Sequence, residues 1–184
     1  MAAAFILFIF TACESKWEEH IAAKDLRGKT LFQAIAENPQ TSVFASILEK
    51  TGYDMLLSGD KMLTVFAPVN DALASVDMND VEGLKNLVKN HLAYSNYTIV
   101  EDHFSSDRIE MINSKNYFVN GLQINGISLI KETGKFNLSA GNGILHLMKG
   151  IIPGQKNIWE YLQTQTDNLQ AKFIKDQDRL IMDM

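Results

Sequence analysis

Two histidines in apolar surroundings, one Glu-Asp-His triplet and a single cysteine hold most of the chemistry this chain could offer. Imidazole binds metals, moves protons or joins backbone groups. His91 lies at helical spacing from Leu87 and Val88 and therefore faces inward, where a hydrogen bond to a carbonyl is its expected role. His146 sits between Leu145 and Leu147 in an apolar strand, so it points to the opposite face from both. There it is expected to bond the backbone of the 64–70 segment. Two histidines without a nearby cysteine or paired carboxylate fall short of a metal-ligand set, and no metal is assigned. Glu101-Asp102-His103 has a metal-like composition, but Ser105 and Ser106 beside it read as a solvated loop. The sequence contains no Gly-x-Ser-x-Gly elbow, phosphate loop, dinucleotide fingerprint or His-Glu-x-x-His pair. No catalytic residue and no cofactor are assigned. The competing catalytic reading is a hydrolase built on a carboxylate pair that meets only in space, which a perturbed, buried carboxylate in a deep pocket would favour.

What must position these groups is one domain, because 184 residues are too few for two comfortable ones. A domain of this size buries about 70% of its unfolded surface and needs neither metal nor disulfide to hold it. The net charge of −5, with no Lys/Arg run, speaks against a nucleic-acid partner, since an acidic chain repels phosphate.

Cys13 cannot form an internal disulfide, because it is the chain's one cysteine. Residues 2–12 are uncharged and strongly apolar, while Glu14-Ser15-Lys16-Trp17-Glu18-Glu19-His20 is almost wholly polar. Eleven residues are too short to span a bilayer core, which takes about 20 in a helix, and suit a signal-peptide h-region instead. Phe10-Thr11-Ala12-Cys13 resembles a bacterial lipobox, although Met1 runs straight into alanines without a positive segment. The resemblance implies a lipid on Cys13, with residues 1–12 a lipoprotein signal peptide and 13–27 a polar tether. The glutamates after Cys13 resemble the export tag of surface lipoproteins, which implies a bacterial outer-membrane lipoprotein exposed at the cell surface.

In the first half, Thr30 caps a helix with Leu31, Phe32 and Ile35 inward, ended by Asn38-Pro39. Ser42 caps a second, with Val43, Phe44, Ile47 and Leu48 inward, stopped by Gly52. The run 62–67, closed by Pro68, reads as a buried strand with Phe66 in the core. Asn70 or Asp71 is expected to cap a short turn of helix through Ala74. Asn79 and Asp80 open a helix with Val81, Leu84, Leu87, Val88, His91 and Leu92 on one face. The second half is strand-like over 108–112, 117–119, 122–130, 135–138 and 144–152, punctuated by Asn-Gly pairs. Asn157 is read as the cap of a closing helix over 158–162. Helices first and strands later give an α+β domain.

Three blocks, in this order, resemble a fasciclin domain: Leu31-Phe32-Gln33-Ala34-Ile35 with Phe44, Leu48 and Thr51-Gly52; Thr64-Val65-Phe66-Ala67-Pro68-Val69-Asn70-Asp71-Ala72; and Asn142-Gly143-Ile144-Leu145-His146-Leu147-Met148 with Ile151-Ile152-Pro153. Leu87 to Leu92 resembles the family's central histidine segment. The likeness covers residues 28–165. It implies a wedge-like β-sandwich with helices packed around it, and Thr64, Phe66, Pro68, Asn70, Asp71, His91, Asn142, Gly143 and His146 as its structural motif residues. Lys89-Asn90 stand where the family carries a tyrosine before the central histidine, so no role of a Tyr-His pair is carried over.

The resemblance implies a non-catalytic adhesion or interaction module at the cell surface, binding extracellular proteins or glycans. The alternative is an accessory glycan-binding lipoprotein of a polysaccharide-uptake system. Exposed aromatics that stack on sugars would mark it, with Tyr94 and Tyr97 the expected exposed pair and Trp17, Tyr117 and Trp159 further candidates. Asn96-Tyr97-Thr98 and Asn137-Leu138-Ser139 match the glycosylation sequon, to which a bacterial lipobox gives no use. Residues 166–184 carry Leu169, Phe173, Leu180 and Ile181 at helical spacing and are expected to form a C-terminal helix that docks, or the start of a linker.

Overall fold

The computed structural model describes residues 26, 28–99, 108–132, 135–156 and 158–165, with 169, 172, 173 and 176 beyond them. Cys13, Trp17, the 101–103 triplet and Asn157 lie outside the described residues. The chain divides into two compact units between Pro153 and Gly154.

The first unit begins with α1 (Leu31–Ala36), fixed by a reciprocal cap. The Gln33 N–H donates to Thr30 Oγ1 and the Thr30 N–H donates to Gln33 Oε1, which satisfies two orphan donors at once. A 3-10 turn, Pro39–Thr41, leads into α2 (Ser42–Thr51), and Gly52 ends it in the left-handed region at φ 79. α3 (Asp54–Ser58) follows, then β1 (Leu63–Pro68), a 3-10 turn at Asn70–Leu73, and α4 (Val81–Lys89) capped by Asp80. The strands β2 (Leu92–Tyr94), β3 (Arg108–Glu110), β4 (Asn116–Asn120), β5 (Gln123–Ile124), β6 (Ile127–Ser128), β7 (Leu138–Ala140) and β8 (Gly143–Met148) complete it.

The strands form two four-stranded sheets, β2-β1-β8-β7 and β3-β4-β5-β6. β1 runs parallel to β8 with Phe66 opposite His146 and antiparallel to β2 with Val65 opposite Leu92. The whole second sheet is thus inserted in the crossover between two parallel neighbours. Strand periodicity then separates two cores. Leu63, Val65 and Ala67 of β1 and Leu145 and Leu147 of β8 join Leu31, Ile35, Phe44, Ile47, Leu48, Leu84 and Val88 from the helices. Phe66 and Met148 point the other way and meet Ile109, Tyr117 and Ile124 of the second sheet. Covered on both faces, β1 is buried along its full length, which is why its sequence is an unbroken apolar run without alternation. This is the expected α+β architecture: two sheets face to face with helices packed outside.

Several expected elements differ. Helix α4 stops at Lys89, so His91 and Leu92 do not continue its stripe; Leu92 instead starts β2, and Val81 is exposed at the helix start. Periodicity could not show the break, because a buried strand and a helix stripe both begin with apolar residues. The 122–130 run folds into β5 and β6 about Asn125-Gly126, both at positive φ. β7 lies two to three residues later than expected, and the last strand ends at Met148. Pro68 is the last residue of β1, opposite Met148, rather than the stop beyond it. Helix α3 had no strong sequence signal. Ser42 is the first helical residue of α2 and makes no cap of its own helix.

In the second unit, α5 (Ile158–Thr164) is helical, as are Leu169, Lys172, Phe173 and Asp176. Ile158, Tyr161, Leu169 and Phe173 are exposed. Among the described residues no helix is long and apolar enough to cross a membrane.

Candidate functional site

The polar residues of the three sequence blocks converge on the backbone at the seams between elements. His91 is fully buried just past α4. Its Nδ1–H donates to the Leu87 carbonyl (2.8 Å), and its Nε2 accepts the Ile152 N–H (3.0 Å). His146 is buried on β8, its ring stacked on Phe66 with centroids 5.1 Å apart. Its Nε2–H donates to the Tyr97 carbonyl (2.9 Å), and its Nδ1 accepts the Asn137 N–H (3.2 Å). The His146 side chain therefore joins the 97 and 137 loops, not the backbone of 64–70; Phe66, its neighbour across the β1–β8 ladder, stacks on its ring. Both rings act as neutral donor–acceptor links, with opposite tautomers set by their partners. Burial lowers both pKa values to about 4, against a weaker upward pull from the carbonyl each ring donates to. A proton added to either ring would set one N–H against another.

Asn142 fastens three pieces of chain. Its Oδ1 accepts the Leu31 N–H at the start of α1 (2.7 Å), and its Nδ2 donates to the carbonyls of Leu57 (2.9 Å) and Gly59 (2.6 Å) at the end of α3. Gly143 follows at φ 153, where a Cβ would lie 1.9 Å from the Leu63 carbonyl oxygen. Only glycine lets β8 approach β1 there. Thr64 Oγ1 donates to the Ser95 carbonyl and accepts the Tyr97 N–H, each at 2.8 Å.

Asn70 caps a helix, but not the turn it starts. Its Oδ1 accepts the Val43 N–H of α2 (3.0 Å), and its Nδ2 donates to the Pro39 carbonyl and to Ser42 Oγ. The α2 cap comes from 27 residues along the chain, which displaces the local cap expected from Ser42. Asp71 is exposed beside it. Asn90 Oδ1 accepts from Tyr117 Oη (2.9 Å) and Asn113 Nδ2 (2.7 Å), tying the end of α4 to the second sheet.

Among the described residues, the buried polar side chains are Thr41, Thr64, Asn90, His91, Asn142 and His146, none a carboxylate, and no buried side-chain nitrogen or oxygen lacks a partner. Among the same residues no three His, Cys, Asp or Glu gather as a metal set. The arrangement can hold loops and helices to the first sheet; the chemistry left for a partner lies at the surface.

There the expected aromatic pair is split. Tyr94, at the end of β2, is 54% exposed, whereas Tyr97 is half-buried against the second core, its N–H and carbonyl both engaged. Thr64 and His146 draw that segment in, a long-range effect that local pattern does not carry. Tyr117 is fully buried, and Asn137 holds Ile99 at both its N–H and its carbonyl. Among the described residues, the exposed aromatics that sequence pattern missed include Tyr161 of α5, and Phe118 on the outward face of β4, with Arg108 Cζ 4.9 Å from its ring centroid. Tyr117-Phe118-Val119 is a continuous apolar run, so alternation alone does not say which ring faces out.

Comparison with known proteins gives the same picture. The model of the fasciclin domain matches residues 39–152. Human stabilin-1 is 29% identical over 136 residues, covering 67% of this chain and 5% of that protein. Fasciclin-like arabinogalactan protein 3 of Arabidopsis thaliana is 25% identical over 133 residues, covering 72% of this chain and 44% of that protein. The chain thus spans less than half the length of these relatives. Among solved structures, a FAS1 domain pair from the insect cell adhesion molecule fasciclin I superposes with a TM-score of 0.51 at 13% identity, over 68% of this chain and 51% of that one.

Proposed function

The chain belongs to the fasciclin domain family, and from that premise we propose that it is a non-catalytic adhesion module, held on the outer face of a bacterial envelope by a lipid on Cys13. Its partners are extracellular or surface proteins or glycans. The observation that carries the reading is the direction of the polar side chains. His91, His146, Asn142, Asn70 and Thr64 are all turned to backbone groups, so the family's motif builds a scaffold and leaves recognition to the exterior. A scaffold of this kind suits a surface that must keep its shape outside the cell. The anchor reading rests on the sequence 10–13 and on the polar segment after it. Two attached acyl chains would make such attachment stable, since each buried CH₂ contributes about 0.8 kcal/mol.

The test uses the full chain. Labelled palmitate should enter the protein in a bacterial host, and Cys13→Ser should abolish labelling and release the protein from membranes; equal labelling of the variant defeats the anchor. Beads coated with the protein should adhere to cells or extracellular matrix above an albumin control. Adhesion no better than that control defeats the module.

A further inference from the structure

The outward face of the second sheet is set by register. Arg108 stands opposite Phe118, Asn120 opposite Gln123, and Gln123 opposite Ser128, while Asn116 lies two residues before Phe118 on the same strand. The intervening Ile109, Tyr117 and Ile124 are buried in the second core. A slip by one residue would expose all of them, so the outward set is firmly fixed. Phe118 is 49% exposed, with the Arg108 guanidinium over one side of its ring, Cζ 4.9 Å from the centroid.

Asn116 and Asn120 stand at the two ends of β4 and Gln123 opens β5, so their amides border the ring from strand ends and turns. Here two Asn and one Gln occupy outward positions around one aromatic ring. Each amide offers both donors and an acceptor. Neighbouring strands lie about 4.8 Å apart, and outward residues on one strand recur about every 6.8 Å. Those spacings are comparable with one pyranose unit and its hydroxyl groups.

Resting on the adhesion reading above, we propose that this face is a binding platform for a neutral oligosaccharide. One sugar stacks on the part of the Phe118 ring that Arg108 leaves exposed, and hydroxyls of the sugars beside it pair with Asn116, Asn120 and Gln123. Ser128 completes the amide row, with Gln123 Nε2 3.4 Å from its Oγ. Arg108 and Glu110 both lie on β3 with side chains exposed, so their charges offset and a strongly charged ligand gains little. A protein partner fits less well, because a single apolar side chain does not supply the apolar centre and anchor cluster of a protein interface.

The test is an array of neutral oligosaccharides (glucans, mannans, galactans, xylans) beside sulfated and uronic-acid probes, with the full chain as analyte. The wild type should bind a neutral class. Phe118→Ala should weaken it at least tenfold, and so should the pair Asn120→Ala with Gln123→Ala, which leaves the ring in place. Tyr94→Ala should bind as the wild type does, and all variants should melt within a few degrees of it. Binding to anionic probes alone, to no probe, or binding lost with Tyr94 and kept without Phe118, overturns the platform. Bead adhesion separates this outcome from failure of the broader reading. Wild-type beads that adhere while the protein binds no neutral probe remove the platform and leave the module, whereas wild-type beads that never adhere remove the module.

Discussion

The two sheets have the same number of strands and opposite economies of exposure. The first has cores on both faces and carries buried Thr64, His146 and, beside it, His91 and Asn142, each joined to backbone of a distant segment. The second has one buried face and one wet face, with short strands, tight Asn-Gly turns and exposed amides. The contrast teaches where a substitution can be absorbed. In the first sheet a side chain is held from several sides, and removing it leaves both a hole and unpaired polar groups. On the outer face of the second, a side chain answers only to water and to whatever binds there.

The sharpest way to break this comparison is at glycine. Gly143→Ala would drive a Cβ into the Leu63 carbonyl, so it should abolish folding or cost more than about 5 kcal/mol. Gly126 also has positive φ, at 82, but has open space around it, and Gly126→Ala should cost only the left-handed strain of about 1–2 kcal/mol. Denaturant melts of both variants measure the difference; equal losses would mean the two sheets are equally tolerant.

The paired phenylalanines come next. Phe66 is fully buried between the sheets, and Phe66→Ala should cost about 3–5 kcal/mol. Phe118 is half exposed, and Phe118→Ala should stay within about 1 kcal/mol. A loss at Phe66 under about 1 kcal/mol would show that β1 is not held as described.

Acid should act on the first sheet. His91 and His146 have folded-state pKa values of about 4, below the ordinary 6.5, so the unfolded chain binds more protons between those limits. Stability is therefore fully present above about pH 6.5 and falls as pH drops toward 4, by on the order of 3 kcal/mol per histidine. Equilibrium melts from pH 7.5 to 4 read this directly. His91→Gln with His146→Gln should lower stability at pH 7 and flatten the slope, with or without chelator. A wild type destabilised by chelator alone would reveal a metal site instead.

The smallest effect is expected at Ser42. Since Asn70 caps α2 from outside, Ser42→Ala should cost under about 0.5 kcal/mol, whereas Asn70→Ala should cost about 1–2 kcal/mol through the lost cap. The reverse order would restore the local cap.

Sequence alone determined the features that depend on neighbours in the chain. Thr30 caps a helix that starts beside it, Gly52 ends one because it accepts φ 79, and Asn125-Gly126 supplies a turn's positive φ, although the 122–130 run around it reads as one strand. The Thr64–Asp71 and Asn142–Met148 blocks carried the family, because parallel pairing of β1 with β8 constrains every residue along both. Only the tertiary structure decided the partners of the polar groups: His146 reaches Tyr97 and Asn137, Asn70 reaches α2, and Asn142 reaches Leu31, Leu57 and Gly59. It also decided which ring of Tyr117-Phe118 faces water. A hydrogen bond between residues 27 to 111 apart leaves no periodic trace. In a continuous apolar run both faces look alike, and burial follows from which side the neighbouring sheet covers.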